Sequence, residues 1–195
     1  MIDQECPEGT QTIVLSLGGS VLIPSELDHV FIKKMAAVLK NRVEKGDRFA
    51  IVVGGGSIAR YYQKAAGKLS PAIDEETLDW IGIESTRLNA RFLAAVLAET
   101  MTVKYVSSEE QFETLEAACT EVVVSSGWSP GRSTDSISVQ IAKKLKASSV
   151  MNISNIDAVY DRDPKRYKNA KRFDRLSWNQ YRMMFPTEWT PGLSS

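Results

Sequence analysis

The chain has 195 residues, 43% apolar and 25% charged, which is ordinary for one folded unit with a substantial core and too short for two. Its 24 basic and 24 acidic residues cancel and are scattered, so no basic stripe is present to draw nucleic acid or an anionic membrane, while small anionic ligands stay open. Cys6 and Cys119 have neither metal-ligand spacing nor the density of a disulfide scaffold, the single His29 excludes a histidine-rich metal site, and residues 1–11 lack the basic and apolar regions of a signal peptide, so a cytoplasmic protein without a membrane partner is expected.

In chain order, residues 12–17 are a short apolar run that predicts a buried strand, followed by the turn Leu17-Gly18-Gly19-Ser20. A helix is expected over 28–44, with Ile32, Met35, Leu39 and Val43 on one face and Gly46 ending it. Residues 49–53 predict a second buried strand that runs into Gly54-Gly55-Gly56-Ser57 and a helix over 57–66. A longer helix is expected over 75–100, its core positions Leu78, Ile81, Leu88, Phe92 and Val96. Short strands over 102–106 and 121–124 flank a polar helical stretch over 110–118. A Gly/Pro/Ser loop, 125–135, then leads to a helix carrying Ile137, Ile141 and Leu145, and 149–153 predicts another strand. Strands alternating with helices predict a parallel sheet covered on both faces, with ligands bound in loops beyond the carboxyl ends of the strands. Every unusual loop of this chain falls at that end.

Each glycine turn follows a strand directly, an arrangement that brings backbone N–H groups and a helix dipole to an anion. Two such turns suggest two phosphorylated ligands; glycines that merely end strands are the alternative. Arg60, one helical turn after the triple glycine, can reach back over the same anion or stand as a solvated arginine. Asp79 can accept hydrogen bonds from sugar hydroxyls or cap its helix. In Pro130-Gly131-Arg132-Ser133-Thr134-Asp135, hydroxyls, a cation and a carboxylate gather at a helix start, where they suit a nucleotide phosphate or serve only as caps. Residues 155–164 carry Asp157, Asp161 and Asp163 with Tyr160 after a strand, a further candidate site or a charged surface turn.

Together these stretches resemble the amino acid kinase family, and within it the archaeal-type uridylate (UMP) kinases. The matching text is L-G-G-S-V-L at 17–22, V-V-G-G-G-S-I-A-R at 52–60, D-W-I-G-I-E-S-T-R-L-N-A at 79–90, P-G-R-S-T-D at 130–135 and N-I-D-A-V-Y-D-R-D-P at 155–164, and the resemblance covers nearly the whole chain from Thr12. It implies a three-layer αβα sandwich with a mostly parallel central sheet, as one domain over 1–195. It implies transfer of the γ-phosphoryl group of ATP to UMP in pyrimidine nucleotide biosynthesis. Kinases of the same fold acting on another small phosphate or carboxylate, and a catalytically silent nucleotide-binding or storage protein, are the alternatives.

By the same resemblance, Gly19 and Ser20 would contact ATP phosphates, Gly55 and Gly56 would lie between acceptor and donor nucleotides, and Arg60 would hold phosphate. Asp79 would read the ribose of UMP, while Trp128, Ser129, Pro130, Gly131, Arg132, Ser133 and Thr134 would wrap its base and phosphate. Ser154, Tyr160 and Asp163 would line the adenine nucleotide pocket, and Asp157 would organise the phosphate-binding groups from below. ATP and Mg²⁺ are the implied cofactors, the metal held chiefly by phosphates and water with few protein ligands and no metal-ligand residue named. A homo-oligomer, a hexamer packed through long helices, is the implied assembly. The sequence departs from the family where Ser16 replaces a common lysine, where Ala158 replaces a usual glycine, and at residues 191–195, where relatives continue with another helix and strand. That ending gives the expectation of a chain lacking its C-terminal helix and strand.

Overall fold

The computed structural model describes residues 9–116, 118, 119 and 121–184. Five strands, β1 (Thr12–Leu17), β2 (Arg48–Val53), β3 (Thr102–Val106), β4 (Glu121–Ser125) and β5 (Ser149–Ile153), form one parallel sheet in the order β3-β4-β2-β1-β5. The register pairs Leu17 with Val53 and Ile153, and Ser125 with Val52 and Val106, so the strands all end along one edge. Helices α1 (Gly19–Leu22), α2 (His29–Glu44), α3 (Gly56–Leu69), α4 (Glu75–Ala98), α5 (Glu109–Glu113), α6 (Thr134–Lys144) and α7 (Trp178–Met184) complete the described elements, with a hairpin of β6 (Val159–Tyr160) and β7 (Arg172–Phe173).

Side chains alternate across the sheet, so each central strand feeds two cores. Ile13, Leu15, Leu17, Ile51 and Val53 pack with Ile32, Leu39, Leu93 and Leu97 of α2 and α4. Val14, Ala50, Val52 and Val123 pack on the other face with Ile137 and Ile141 of α6. The result is the expected αβα sandwich. No helix among the described residues is long and apolar enough to cross a membrane.

The differences from the sequence reading have local causes. Asp28 accepts from Phe31 N at 2.9 Å and so caps α2, which starts one residue later than expected. Gly46 has a φ of +94° and donates to Val43 O at 2.9 Å, the left-handed stop that was anticipated. The buried face of α4 is Ile83, Thr86, Asn89, Ala90, Leu93 and Leu97, whereas Leu88 is 64% exposed. Polar side chains facing inward hid the true stripe. The polar stretch 110–118 yields only the short α5, because Leu115 turns into the core just after it. α1, the β6-β7 hairpin and α7 were not expected. Cys119 is disulfide-bonded, where the cysteine count gave no sign of a link.

Candidate functional site

The two glycine turns meet at the C-terminal ends of β1 and β2. Gly54 N donates to Leu17 O at 2.8 Å, and Gly18 N donates to Ile153 O at 2.9 Å, so the β1 turn is tied to both neighbouring strands. Gly56 has a φ of +67°, and a Cβ there would lie 2.6 Å from Gly19 C and 2.8 Å from Gly19 O. A Cβ on Gly19 would strike Gly54 O and Gly56 N in turn. The glycines are thus required because two backbones touch, which brings Gly19, Ser20, Gly55 and Gly56 into one place.

Helix α3 opens in that place. Asp28, Asp74, Ser108 and Ser133 each cap a helix by accepting a backbone N–H with a side-chain oxygen, but α3 starts at Gly55, which has no side chain to do so. The first-turn N–H groups of α3 have no cap, and the positive end of its dipole faces the glycine loops, which is a backbone-built anion site. Arg60, in the second turn of α3, is exposed and has no hydrogen-bond or ion-pair partner among the described residues. Its charge is available to an anion held there.

A second recess lies between the start of α4 and the loop after β4. Glu75, Glu76, Asp79, Ser129, Pro130 and Gly131 line a shallow cavity of about 430 Å³. Asp79 Oδ2 accepts from Gly131 N at 2.8 Å, which closes the recess across two elements and excludes a capping role, since Asp74 caps α4. Trp128 does not face this cavity: it is 4% exposed and stacks on Phe112 at 5.3 Å in the core, so its ring supports the loop from beneath. Arg132 points to Glu109 (3.2 Å) and Gln140 (3.4 Å). Ser133 is the cap of α6 and Thr134 its first residue, the capping alternative left open for this loop.

Beneath the β1 turn, Ser16 is 4% exposed and donates from Oγ to Asp135 Oδ1 at 2.6 Å. Asp135, which the sequence reading left open between a phosphate site and a helix cap, is thus a carboxylate beneath the glycine turn. Asp157, for which the resemblance implies a role beneath the phosphate-binding groups, accepts from Tyr160 Oη at 3.1 Å and pairs with Arg172 at 3.6 Å. Desolvation and the bond to Asp157 push the Tyr160 phenol up, so it remains a donor. Ser154 follows Ile153 and adjoins Gly18, within reach of the first turn. Asp163 builds its own turn, accepting from Lys165 N at 2.9 Å and pairing with Arg166 at 3.5 Å. Lys146 alone among the described non-glycine residues has positive φ, so Ala158 sits without the strain its replacement of glycine threatened.

Thr86 and Asn89 were quoted within a motif but given no task. Asn89 Nδ2 donates to Gly54 O at 2.9 Å and Gly55 O at 3.3 Å, and Thr86 Oγ1 accepts from Gly127 N at 2.8 Å. The available signal was two polar residues on the inward side of a long helix.

A family model described as the amino acid kinase family matches residues 11–192. A uridylate kinase of Thermococcus sibiricus is 39% identical over 166 residues, which are 85% of this chain and 72% of the relative. The crystal structure of uridylate kinase from Archaeoglobus fulgidus aligns with a TM-score of 0.69 at 36% identity, covering 87% of this chain and 75% of that one. Aspartate kinase from Synechocystis aligns with a TM-score of 0.65 at 19% identity over 82% of this chain and 31% of its own, a likeness of fold alone.

Proposed function

We propose that this chain, which belongs to the amino acid kinase family, transfers the γ-phosphoryl group of ATP to UMP, giving UDP and ADP. The observation that carries the reading is the uncapped N-terminus of α3, packed against a second glycine turn and flanked by Arg60. It is a place for adjoining phosphates, in a chain similar to uridylate kinases over 85% or more of its length. A phosphate oxygen of UMP bonds to the γ-phosphorus as the bridging bond to ADP breaks. That oxygen is already ionised at neutral pH, so no general base is needed, and the protein contributes alignment and positive charge.

Gly19 and Ser20 serve the ATP phosphates, and the first-turn amides of α3 with Arg60 serve the transferring group. Asp79, Ser129, Pro130 and Gly131 take the nucleoside of UMP, with the Arg132 side chain at their margin. Ser154, Tyr160 and Asp163 belong to the ATP side through Ser154's place beside Gly18. Mg²⁺ would be carried chiefly by phosphates and water, with few protein ligands. Asp135 is the exposed carboxylate at hand for it, and the ion would add positive charge to the phosphate chain. A cytoplasmic hexamer acting in pyrimidine nucleotide biosynthesis, with one domain per chain, completes the proposal.

A coupled ADP-release assay over UMP, CMP, AMP, glutamate and isopentenyl phosphate tests it. UMP should give the highest kcat/KM by at least about tenfold, or about 1.4 kcal/mol. A higher value with any other acceptor refutes the assignment.

A further inference from the structure

We infer that Thr86 and Asn89 are positioning residues: one turn of α4 fixes the separation of the triple-glycine loop from the loop after β4, and so of donor from acceptor. Which loop serves which nucleotide follows the uridylate kinase reading; the geometry does not depend on it. Thr86 is 7% exposed and Asn89 2% exposed, and a polar group so buried is costly unless bonded. Their bonds go to loop backbone. Thr86 Oγ1 accepts from Gly127 N at 2.8 Å while donating to Ile83 O at 2.7 Å. Asn89 Nδ2 bridges Gly54 O and Gly55 O.

Thr86 is also wedged between the loops: a Cβ on Gly127 would lie 3.1 Å from Thr86 Oγ1, and one on Gly55 would lie 3.5 Å from Thr86 Cγ2. The helix that carries both residues is anchored by Ala90, Leu93 and Leu97, each fully buried, so the two loops hang from one rigid element. Orientation follows as well as distance. No described peptide is cis, and a trans peptide holds its C=O and N–H on opposite sides, so the Gly55 carbonyl drawn toward Asn89 points the Gly56 N–H of the same peptide away from α4. Asn89 thereby aims the amides that open α3, and Thr86 holds the start of the loop that lines the second recess.

The test uses the full chain. Thr86→Val keeps the volume but removes both bonds, whereas Thr86→Ser keeps the hydroxyl. T86V is expected to raise KM for UMP by about tenfold or more with KM for ATP within about twofold, and T86S to stay within about threefold of wild type for both. Asn89→Ala is expected to lower kcat by ~10²-fold, because the loop it frees adjoins both nucleotides. A residue that only supports the fold would lower Tm without separating the two KM values. Wild-type KM for UMP in T86V, equal rises in both KM values, or no recovery in T86S overturns the inference.

Hydrogen exchange at the Gly127 amide, read by NMR, needs no turnover. It should be slow in wild type and T86S and faster in T86V, and unchanged exchange in T86V also overturns the inference. If T86V does not fold, Thr86→Cys, of similar size and weaker hydrogen bonding, carries the same comparison. A wild-type chain that shows this exchange pattern but does not phosphorylate UMP refutes the substrate reading and leaves the positioning role standing.

Discussion

Helix α3 carries two glycines whose replacement by alanine should have opposite effects. At Gly56 the backbone has a φ of +67°, which costs a residue with a Cβ about 1–2 kcal/mol. The added Cβ would also lie 2.6 Å from Gly19 C, 2.8 Å from Gly19 O and 3.0 Å from Ser20 N, all of them backbone atoms that cannot rotate away. Ordinary carbon contacts begin near 3.5 Å, so the two glycine turns must part by roughly 1 Å. A displacement of that size in a site whose work is alignment costs about 10²-fold in rate. Gly56→Ala should therefore lower kcat/KM for UMP by ~10²-fold or more and lower Tm by roughly 2–8 °C, from the backbone term alone. At Gly67, in the last turn of the same helix, an added Cβ meets nothing within 4 Å and the φ is not positive. Gly67→Ala should raise Tm by roughly 1–4 °C through helix propensity and leave kcat/KM within about twofold of wild type. Steady-state kinetics and thermal melts on the two variants decide the matter. Wild-type kcat/KM in Gly56→Ala, or equal damage from both changes, would refute the claim that these turns are held by backbone contact.

Arg60→Ala removes a guanidinium that has no partner among the described residues, beside the start of α3, and kcat should fall by ~10²-fold with Tm within about 1 °C; an unchanged kcat contradicts its role. Asp79→Asn weakens the acceptor for Gly131 N and for a ribose hydroxyl, so KM for UMP should rise about tenfold with kcat less affected, and an unaltered KM would place the nucleoside elsewhere. Ser16→Ala leaves Asp135 without its hydroxyl donor; discounted for the exposure of Asp135, the loss is about 1 kcal/mol, seen as a Tm lower by roughly 2–4 °C. Asp74 accepts from Thr77 N at 2.6 Å, and that backbone hydrogen bond holds its carboxyl below the usual range. A group depressed in the folded state stabilises fully above its unfolded pKa of about 4 and loses that contribution as pH falls through its folded value. Thermal melts from pH 6 to pH 2.5 should accordingly decline less steeply for Asp74→Asn, which accepts the same bond without titrating, and parallel curves would contradict the assignment.

The sheet was legible because β1, β2 and β4 are buried on both faces and read as short, mostly apolar runs, broken in β1 only by Ser16, that lead into glycine or serine. The glycine turns were legible too, since only a backbone needing positive φ or close approach would place Gly54, Gly55 and Gly56 in succession. The inward face of α4 was not, because a count of apolar residues passes over Thr86 and Asn89, whose burial makes sense only once the loops they hold are in place. Trp128 shows the converse: in sequence it stands in the binding loop, yet in three dimensions its ring belongs to the core beneath.

The approach of Asp135 to Ser16 depends on topology rather than spacing. β4 neighbours β2, whereas β5 lies beyond β1, so the connection between them must cross the face of the sheet. α6 makes that crossing, packing on β1, β2 and β5, and its first turn comes to rest beside the end of β1. That path brings Asp135 to Ser16 across 119 positions of sequence. Asp157 follows β5, the other neighbour of β1, and has Tyr160 and Arg172 of the hairpin as partners. A crossover thus puts the helix start that follows the acceptor loop under the donor turn, so one connection, β4 to β5, reaches both halves of the proposed site.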